Sequence, residues 1–216
     1  PSVLEAMVLG DYHNGETDPL VRKATHRMIQ ELNPQRLILH DYFDGHSVSH
    51  HIDQQYIRQK LIHQVDIGHN VLEQELQEGY DELQLLSRLM DGKEIAVVMS
   101  NHDEFLHRYL DEGRFMKDAG NARFGFKLAG YMSEKDYNNP VEAGMKMFGE
   151  LPNVKWLRRD EDYKVRGWQL GSHGDKGPGF GYGSMPAKER DWGKSITGHV
   201  HKAQILRNTI TVGTML

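Results

Sequence analysis

Five short polar clusters recur along the chain in a fixed order: Asp11-Tyr12-His13, Asp41-Tyr42-Phe43-Asp44, Ser100-Asn101-His102-Asp103, Ser172-His173 and Gly198-His199-Val200-His201. Four of them clearly follow a short apolar run. An apolar run that stops at a polar cluster reads as a buried strand whose carboxyl end opens on a loop. A sheet gathers such ends along one edge, so groups distant in sequence meet there. The groups concerned are carboxylates, imidazoles and an amide, hard or borderline ligands for divalent cations. The pattern points to an α/β fold with a two-metal hydrolytic site on a strand-end edge.

The first hundred residues support that class. Val3 to Leu9 reads as a buried strand, and Asp18-Pro19 supplies an N-cap with proline at the first helical position, opening a helix that stops before Pro34. Arg36 to Leu39 is the next strand, residues 51–90 are helical with a break near Gly68 or Gly79, and Glu94 to Met99 is a third, β-branched strand. This alternation predicts a parallel or mixed sheet covered by helices. Residues 103–150 read as several short helices, the last opened by Pro140. Short strands follow at Tyr163–Val165, Trp168–Leu170, Ser195–Thr197, Ala203–Leu206 and Thr209–Val212, which predicts a second, more antiparallel sheet packed on the first. Leu83, Leu86, Met90, Met145 and Phe148 are expected in the core; Glu73, Glu75, Glu78, Asp81 and Glu82 are expected on a solvated helix face.

With 216 residues, 38% of them hydrophobic and 26% charged, a single domain over residues 1–216 is the default, although the opening at Pro1 also fits the core of a longer protein. No cysteine is present, so disulfides and thiolate metal sites are excluded and any metal must be held by O and N. No apolar stretch has the length of a membrane span and no secretory signal is evident, so the expectation is a cytoplasmic protein with no membrane partner. The sequence leaves homo-oligomerisation open.

Net charge is −5, yet residues 155–207 hold 11 Lys/Arg against 6 Asp/Glu. That basic third, including Lys155, Arg158, Arg159, Lys176, Lys188, Arg190 and Lys194, could face phosphates or be a solvated surface. Gly174 to Ser184 is a glycine-rich loop carrying Lys176, without a phosphate-loop signature.

Thirteen histidines are many for this length, but position matters more than number. His13 lies two residues beyond Asp11, and His199 and His201 have the same spacing; in extended backbone such pairs point the same way and can meet one ion. A single pair is usually incidental. Five clusters in order are not.

In these residues the chain resembles the calcineurin-like metallophosphoesterases, whose pattern is D-x-H, G-D-x-x-D, G-N-H-D/E, G-H and G-H-x-H, here spanning residues 11–201. The resemblance implies a four-layer αββα sandwich and two divalent metals, manganese first, with iron, zinc, cobalt or magnesium as alternatives. It implies that Asp11, His13 and His201 hold one metal, that Asn101, His173 and His199 hold the other, and that Asp41 bridges them. His102 is then the catalytic histidine that does not bind metal, with Asp103 expected to orient it. A shared carboxylate lets two cations sit about 3.5–4 Å apart, trap a bridging hydroxide and clamp the phosphoryl oxygens.

His40, Ser100 and Ser172 stand where the family usually has glycine, which bears on the loop conformations. Asp44 reads as a structural hydrogen-bonding residue. The segments Phe43–His51 and Ser100–Leu106 look closest to phage-encoded members, among them an early nuclease that degrades host DNA. That narrower resemblance implies a deoxyribonuclease acting on DNA in the host cytoplasm. His46, His50 and His51 read either as the lining of the substrate entrance or as a solvated loop and helix start, and Lys176 either as part of a substrate loop or of a plain connection. The alternatives are a phosphomonoesterase or small-molecule phosphodiesterase, and a metal-free scaffold.

Overall fold

The computed structural model describes residues 3–49, 71–177 and 184–216. The chain forms two compact units: Pro1–Tyr42 with Leu83–Asn101 and Leu151–Leu216, and Phe43–Glu82 with His102–Glu150.

The first unit is built on two sheets. Strands β1 (Met7–Leu9), β2 (Arg36–His40), β3 (Glu94–Val98) and β4 (Val154–Leu157) form an all-parallel sheet in that order. β2 and β3 are buried along four of their five residues, because central strands of a parallel sheet are covered on both faces. β1 is shorter than the predicted Val3–Leu9. β2 begins at Arg36 and pairs only from Met7↔Leu37, so Val3, 62% exposed, has no strand to lie against. Helix α1 (Pro19–Leu32) begins as predicted: Asp18 Oδ1 accepts the Leu20 and Val21 amides at 2.7 and 3.1 Å, satisfying two of the helix's orphan donors. It ends at Asn33, in the left-handed conformation with φ 46°.

The second sheet contains β5 (Lys164–Val165), β6 (Trp168–Gln169), β7 (Ser195–Thr197), β8 (Gln204–Leu206) and β9 (Thr209–Thr211), ordered β5-β6-β7-β9-β8. Its β6–β7 and β7–β9 pairings are parallel, while β5–β6 and β8–β9 are antiparallel. It is therefore evenly mixed, and more antiparallel than the first sheet, as expected. Ile38, Ala96, Val98 and Leu157 of the first sheet share one core with Tyr163, Val165 and Leu170. Each fully buried aliphatic there contributes about 1.5–3 kcal/mol. β4 and the helix Met185–Trp192 were not predicted; the helix has a legible start in Ser184, whose hydroxyl accepts the Ala187 amide, and Pro186.

The second unit is helical. It holds the first part of α2 (Leu72–Leu89), then α3 (Asp103–Asp111), a 3₁₀ turn at Arg114–Lys117, α4 (Ala122–Lys135) and α5 (Pro140–Lys146), where Asn139 caps and Pro140 opens the last helix as predicted. The helix Met185–Trp192 of the first unit is α6. α2 runs unbroken through Gly79; the rest of the predicted helix, residues 51–70, lies outside the described residues. Leu83, Leu86, Met90 and Met145 are buried as expected. Glu75 and Glu82 are not on a solvated face: they are 4% and 5% exposed. They fall at i+3 and i+10 from Leu72, on the same helical stripe as Leu76 and Leu83. No described helix is long and apolar enough to cross a membrane.

Candidate metal centre

β1, β2 and β3 run in parallel, so their carboxyl ends open on one edge and present Asp11 and His13, Asp41, and Asn101 there. The ladder continues beyond the strands: the amides of Tyr12, His13 and Asn14 donate to the carbonyls of His40, Asp41 and Tyr42 at 3.0, 2.8 and 2.9 Å. In the second sheet β6 and β7 are likewise parallel and lead to His173 and His199, and the Gly198 amide donates to the His173 carbonyl at 2.8 Å. Five candidate ligands, Asp11, His13, Asp41, His199 and His201, have φ between 40 and 75°. Each such residue stores about 1–3 kcal/mol of backbone strain, which persists only where surrounding structure imposes it.

Asp11 joins the sheets. Its Oδ1 accepts the His199 amide at 2.7 Å and its Oδ2 the His201 amide at 3.1 Å. Its own carbonyl accepts from the Met215 amide and the Thr214 hydroxyl. His13 Nε2 and His201 Nε2 are 3.3 Å apart, and His201 Nε2 is 3.8 Å from Asp11 Oδ2. Asp41 Oδ2 lies 3.8 Å from His13 Nε2 and 3.1 Å from His173 Nε2. Ligand atoms of Asp11, Asp41 and His173 all fall within 4.8 Å of one another.

Two features of this group suit a cation better than a network of hydrogen bonds. Despite the short approach to Asp41, neither ring nitrogen of the fully buried His173 is in hydrogen-bonding geometry with a partner among the described residues, and the buried Asn101 Oδ1 has none among them either. Buried polar atoms left in this way cost roughly 1–3 kcal/mol each unless something else satisfies them. Second, burial and the neighbouring His173 lower the His199 pKa, favouring the neutral imidazole that a metal requires.

Sequence reasoning placed Asp11, His13, Asp41, His173, His199 and His201 in the site, and the structure brings these six together. It assigned no role to His40. That residue is fully buried, both ring nitrogens lack a hydrogen-bond partner among the described residues, and its ring stacks on His173 at a centroid distance of 5.8 Å. Burial, then His173, pulls its pKa down to about 3 against the opposing pull of Asp41, so it is neutral at working pH. Of the other positions where the family has glycine, Ser172 donates its hydroxyl to Asp160 at 3.1 Å. Tyr12 and Tyr42, which follow Asp11 and Asp41, are buried with ring centroids 5.3 Å apart.

Gly198 shows how tightly the edge is packed. A Cβ there would sit 2.7 Å from Asp11 Oδ1 and 2.9 Å from the His40 Cβ. Gly198→Ala is expected to displace Asp11, costing about 1–3 kcal/mol of stability as overpacking does, and to lower bound metal. Thermal unfolding and metal analysis of the variant check this; wild-type metal content would show that the edge yields.

His102 and Asp103 belong to the helical unit. His102 Nδ1 is 2.5 Å from the Asp44 carbonyl oxygen and 3.9 Å from Asp44 Oδ1; a carbonyl only accepts, so Nδ1 carries the hydrogen. Asp44 is thus one partner of His102, and Asp103 is buried in the first turn of α3. His46 turns toward Glu75 and Asp44, with Nδ1 at 3.2 Å from Glu75 Oε1, and its side chain is 19% exposed. His50 and His51 lie outside the described residues, as do 178–183 of the glycine-rich loop; Lys176 is exposed.

The basic third divides in an unforeseen way. Lys188, counted among the cations for a polyanion, is 2% exposed and donates to the Gly174 carbonyl at 3.0 Å, its pKa lowered by burial. Arg159 pairs with Asp175, Arg190 with Asp191 and Arg207 with Glu189. Compared with protein-family models, with curated proteins and with solved structures, the chain finds no significant match in any of the three.

Proposed function

We propose that the chain is a dinuclear metal-dependent phosphoesterase of the calcineurin-like metallophosphoesterase type, its two sheets forming the centre of a four-layer αββα sandwich, and that it hydrolyses phosphodiester bonds in DNA. The observation that carries this reading is the placement of Asp41, a buried carboxylate reaching toward His13 on one side and His173 on the other. Asp11, His13 and His201 would hold one cation and Asn101, His173 and His199 the second, with Asp41 shared. An all-O/N set of this kind suits manganese first and also iron, zinc, cobalt or magnesium. When bound, a metal pair polarises phosphoryl oxygens and makes water a nucleophile near neutral pH.

The chain's own residues do the rest. The two amides on Asp11 fix its carboxylate, so it is oriented before a ligand arrives. His102, next to Asn101 in sequence, is the assigned proton donor to the departing oxygen. With Nδ1–H committed to Asp44, proton exchange falls to Nε2.

The DNA assignment rests on the likeness of residues 43–51 and 100–106 to phage-encoded members of that family. The internal pairing of Arg159, Arg190 and Arg207, with Lys188 buried, favours the second reading, a small phosphoester substrate. One experiment separates them: metal content measured alongside manganese-dependent cleavage of linear DNA, circular DNA and a chromogenic phosphodiester. DNA cleavage supports the first reading; turnover of the small ester alone supports the second. A chain that retains no metal and cleaves neither is a scaffold.

Salt gives a further check. Lys176 and Lys194 are exposed. If both meet DNA phosphates, the Lys176→Ala/Lys194→Ala variant should show a log–log salt slope for DNA binding shallower by roughly 1–2, near 0.9 per phosphate contact. Hydrolysis of the small diester should be unchanged. An unaltered slope would make them ordinary surface residues.

A further inference from the structure

The loop between Phe43 and Ser49 closes on a single buried carboxylate. Glu75, in the first turn of α2 and 4% exposed, accepts the Gly45 amide on Oε1 at 2.7 Å; its Oε2 accepts the Ser47 amide at 3.1 Å and the Ser47 hydroxyl. His46 Nδ1 stands 3.2 Å from Oε1. The loop is otherwise tight: Val48 N–H donates to the Gly45 carbonyl at 3.1 Å, Gly45 has φ 76°, and a Cβ on it would lie 3.1 Å from the Phe105 ring. Ser47 and Val48 are 0% and 1% exposed. One residue before this clamp, the Asp44 carbonyl accepts the hydrogen on His102 Nδ1, and the His102 ring packs on Phe105 at 5.0 Å between centroids.

Ligand atoms of Asp44, His46 and Glu75 also lie within 4.8 Å of one another, close enough to meet a cation. The donors just described account for that arrangement without an ion: both Glu75 oxygens already accept from the loop. Burial raises the Glu75 pKa while His46 and the Ser47 donors oppose it.

We infer that Glu75 is a positioning residue for His102, acting through the 44–47 loop: it fixes the Gly45 and Ser47 backbone and thereby the Asp44 carbonyl that sets the tautomer and ring orientation of His102. This rests on the reading of His102 as the proton donor. A carboxylate that only stabilised the loop would affect folding and activity independently of His102, whereas one that acts through His102 has nothing left to position once that imidazole is gone.

The test uses the full chain loaded with Mn²⁺, with the dinucleotide thymidylyl-(3′,5′)-thymidine as substrate, whose leaving sugar hydroxyl needs a proton. Metal per chain, thermal unfolding, kcat and KM are compared for wild type, Glu75→Gln, His102→Ala and the double variant. Gln preserves shape but turns an amide N–H₂ toward a loop donor, so one acceptor is lost. Glu75→Gln is expected to keep its metals and KM and to lose about 10- to 10²-fold in kcat, the scale of a small misplacement of a reacting group. In the His102→Ala background the same change should lower kcat less than about twofold. Wild-type kcat in Glu75→Gln, losses that multiply in the double variant, or loss of metal in step with activity would each overturn the inference. Should Glu75→Gln fail to fold, Ser47→Ala, which removes one donor to Glu75, undergoes the same comparison with smaller losses and the same criterion. Wild-type turnover in His102→Ala would strike the earlier reading and this one with it; multiplicative losses beside an impaired His102→Ala strike this one alone.

Discussion

Asp41→Asn is expected to empty both halves of the site at once. The side chain keeps its shape and loses the negative charge that the two cations would share, and the local charge balance of a metal site is dominated by the ions themselves. Asp41 is 1% exposed, so no water can substitute for the missing charge at low cost. Its Oδ2 faces histidines of both sets, at 3.1 and 3.8 Å, so the effect should not be confined to one ion. Losing a residue that merely orients a ligand costs 10- to 100-fold in metal affinity; losing a shared ligand should cost more than about 100-fold, with activity falling in step. Metal analysis after gel filtration, paired with turnover, is the measurement. Two full equivalents with undiminished turnover would remove Asp41 from the bridging position and, with it, the main support for a dinuclear centre.

His102→Ala is expected to separate chemistry from metal binding. The variant should retain its full metal complement while activity falls by about 10² to 10⁴, the usual range for a general acid. The loss should be smaller on substrates with a good leaving group such as p-nitrophenolate, because an oxygen that leaves readily needs less protonation. If instead one cation disappears, His102 is a ligand and the proposed division of labour fails. The structure gives reason to expect a specific effect: the ring is held by the Asp44 carbonyl at Nδ1 and by Phe105, so its removal takes away an oriented group.

Much of the fold follows from local physics. Asp18-Pro19 and Asn139-Pro140 start helices because an oxygen acceptor and a fixed φ satisfy the first turn without tertiary help. The β-branched run Glu94–Val98 forms a strand because it is buried on both faces. β4, which escaped prediction, has only four residues and exists by pairing with β3; β5 and β6, expected at Tyr163–Val165 and Trp168–Leu170, have two residues each and form a hairpin about Arg166 and Gly167, both at positive φ. The even mixture of parallel and antiparallel pairs in the second sheet depends on which edge each connection crosses, information that no window of sequence contains.

The candidate ligands were legible because five polar clusters stand in order at strand ends, and the resemblance of that order to a known pattern implied which of their residues hold metal: an Asp two residues from a His, a pair of His at the same spacing, and an Asn and a His each just beyond a strand. What a sequence by itself determined here is therefore the list of groups able to hold a cation and the strand ends that carry them. Tertiary structure decided how those groups are held and which neighbours matter. The positive φ of Asp11, Asp41 and His201, the amides that orient Asp11 and the ring of His40 against His173 all arise from two sheets meeting at one edge. Glu75 is the clearest case. It reads as one more charge on an acidic helix until the helix is set against a loop 28 to 30 residues earlier. Burial then turns it from a solvated carboxylate into the acceptor for three donors, because a buried charge must be satisfied and the nearest donors were in that loop.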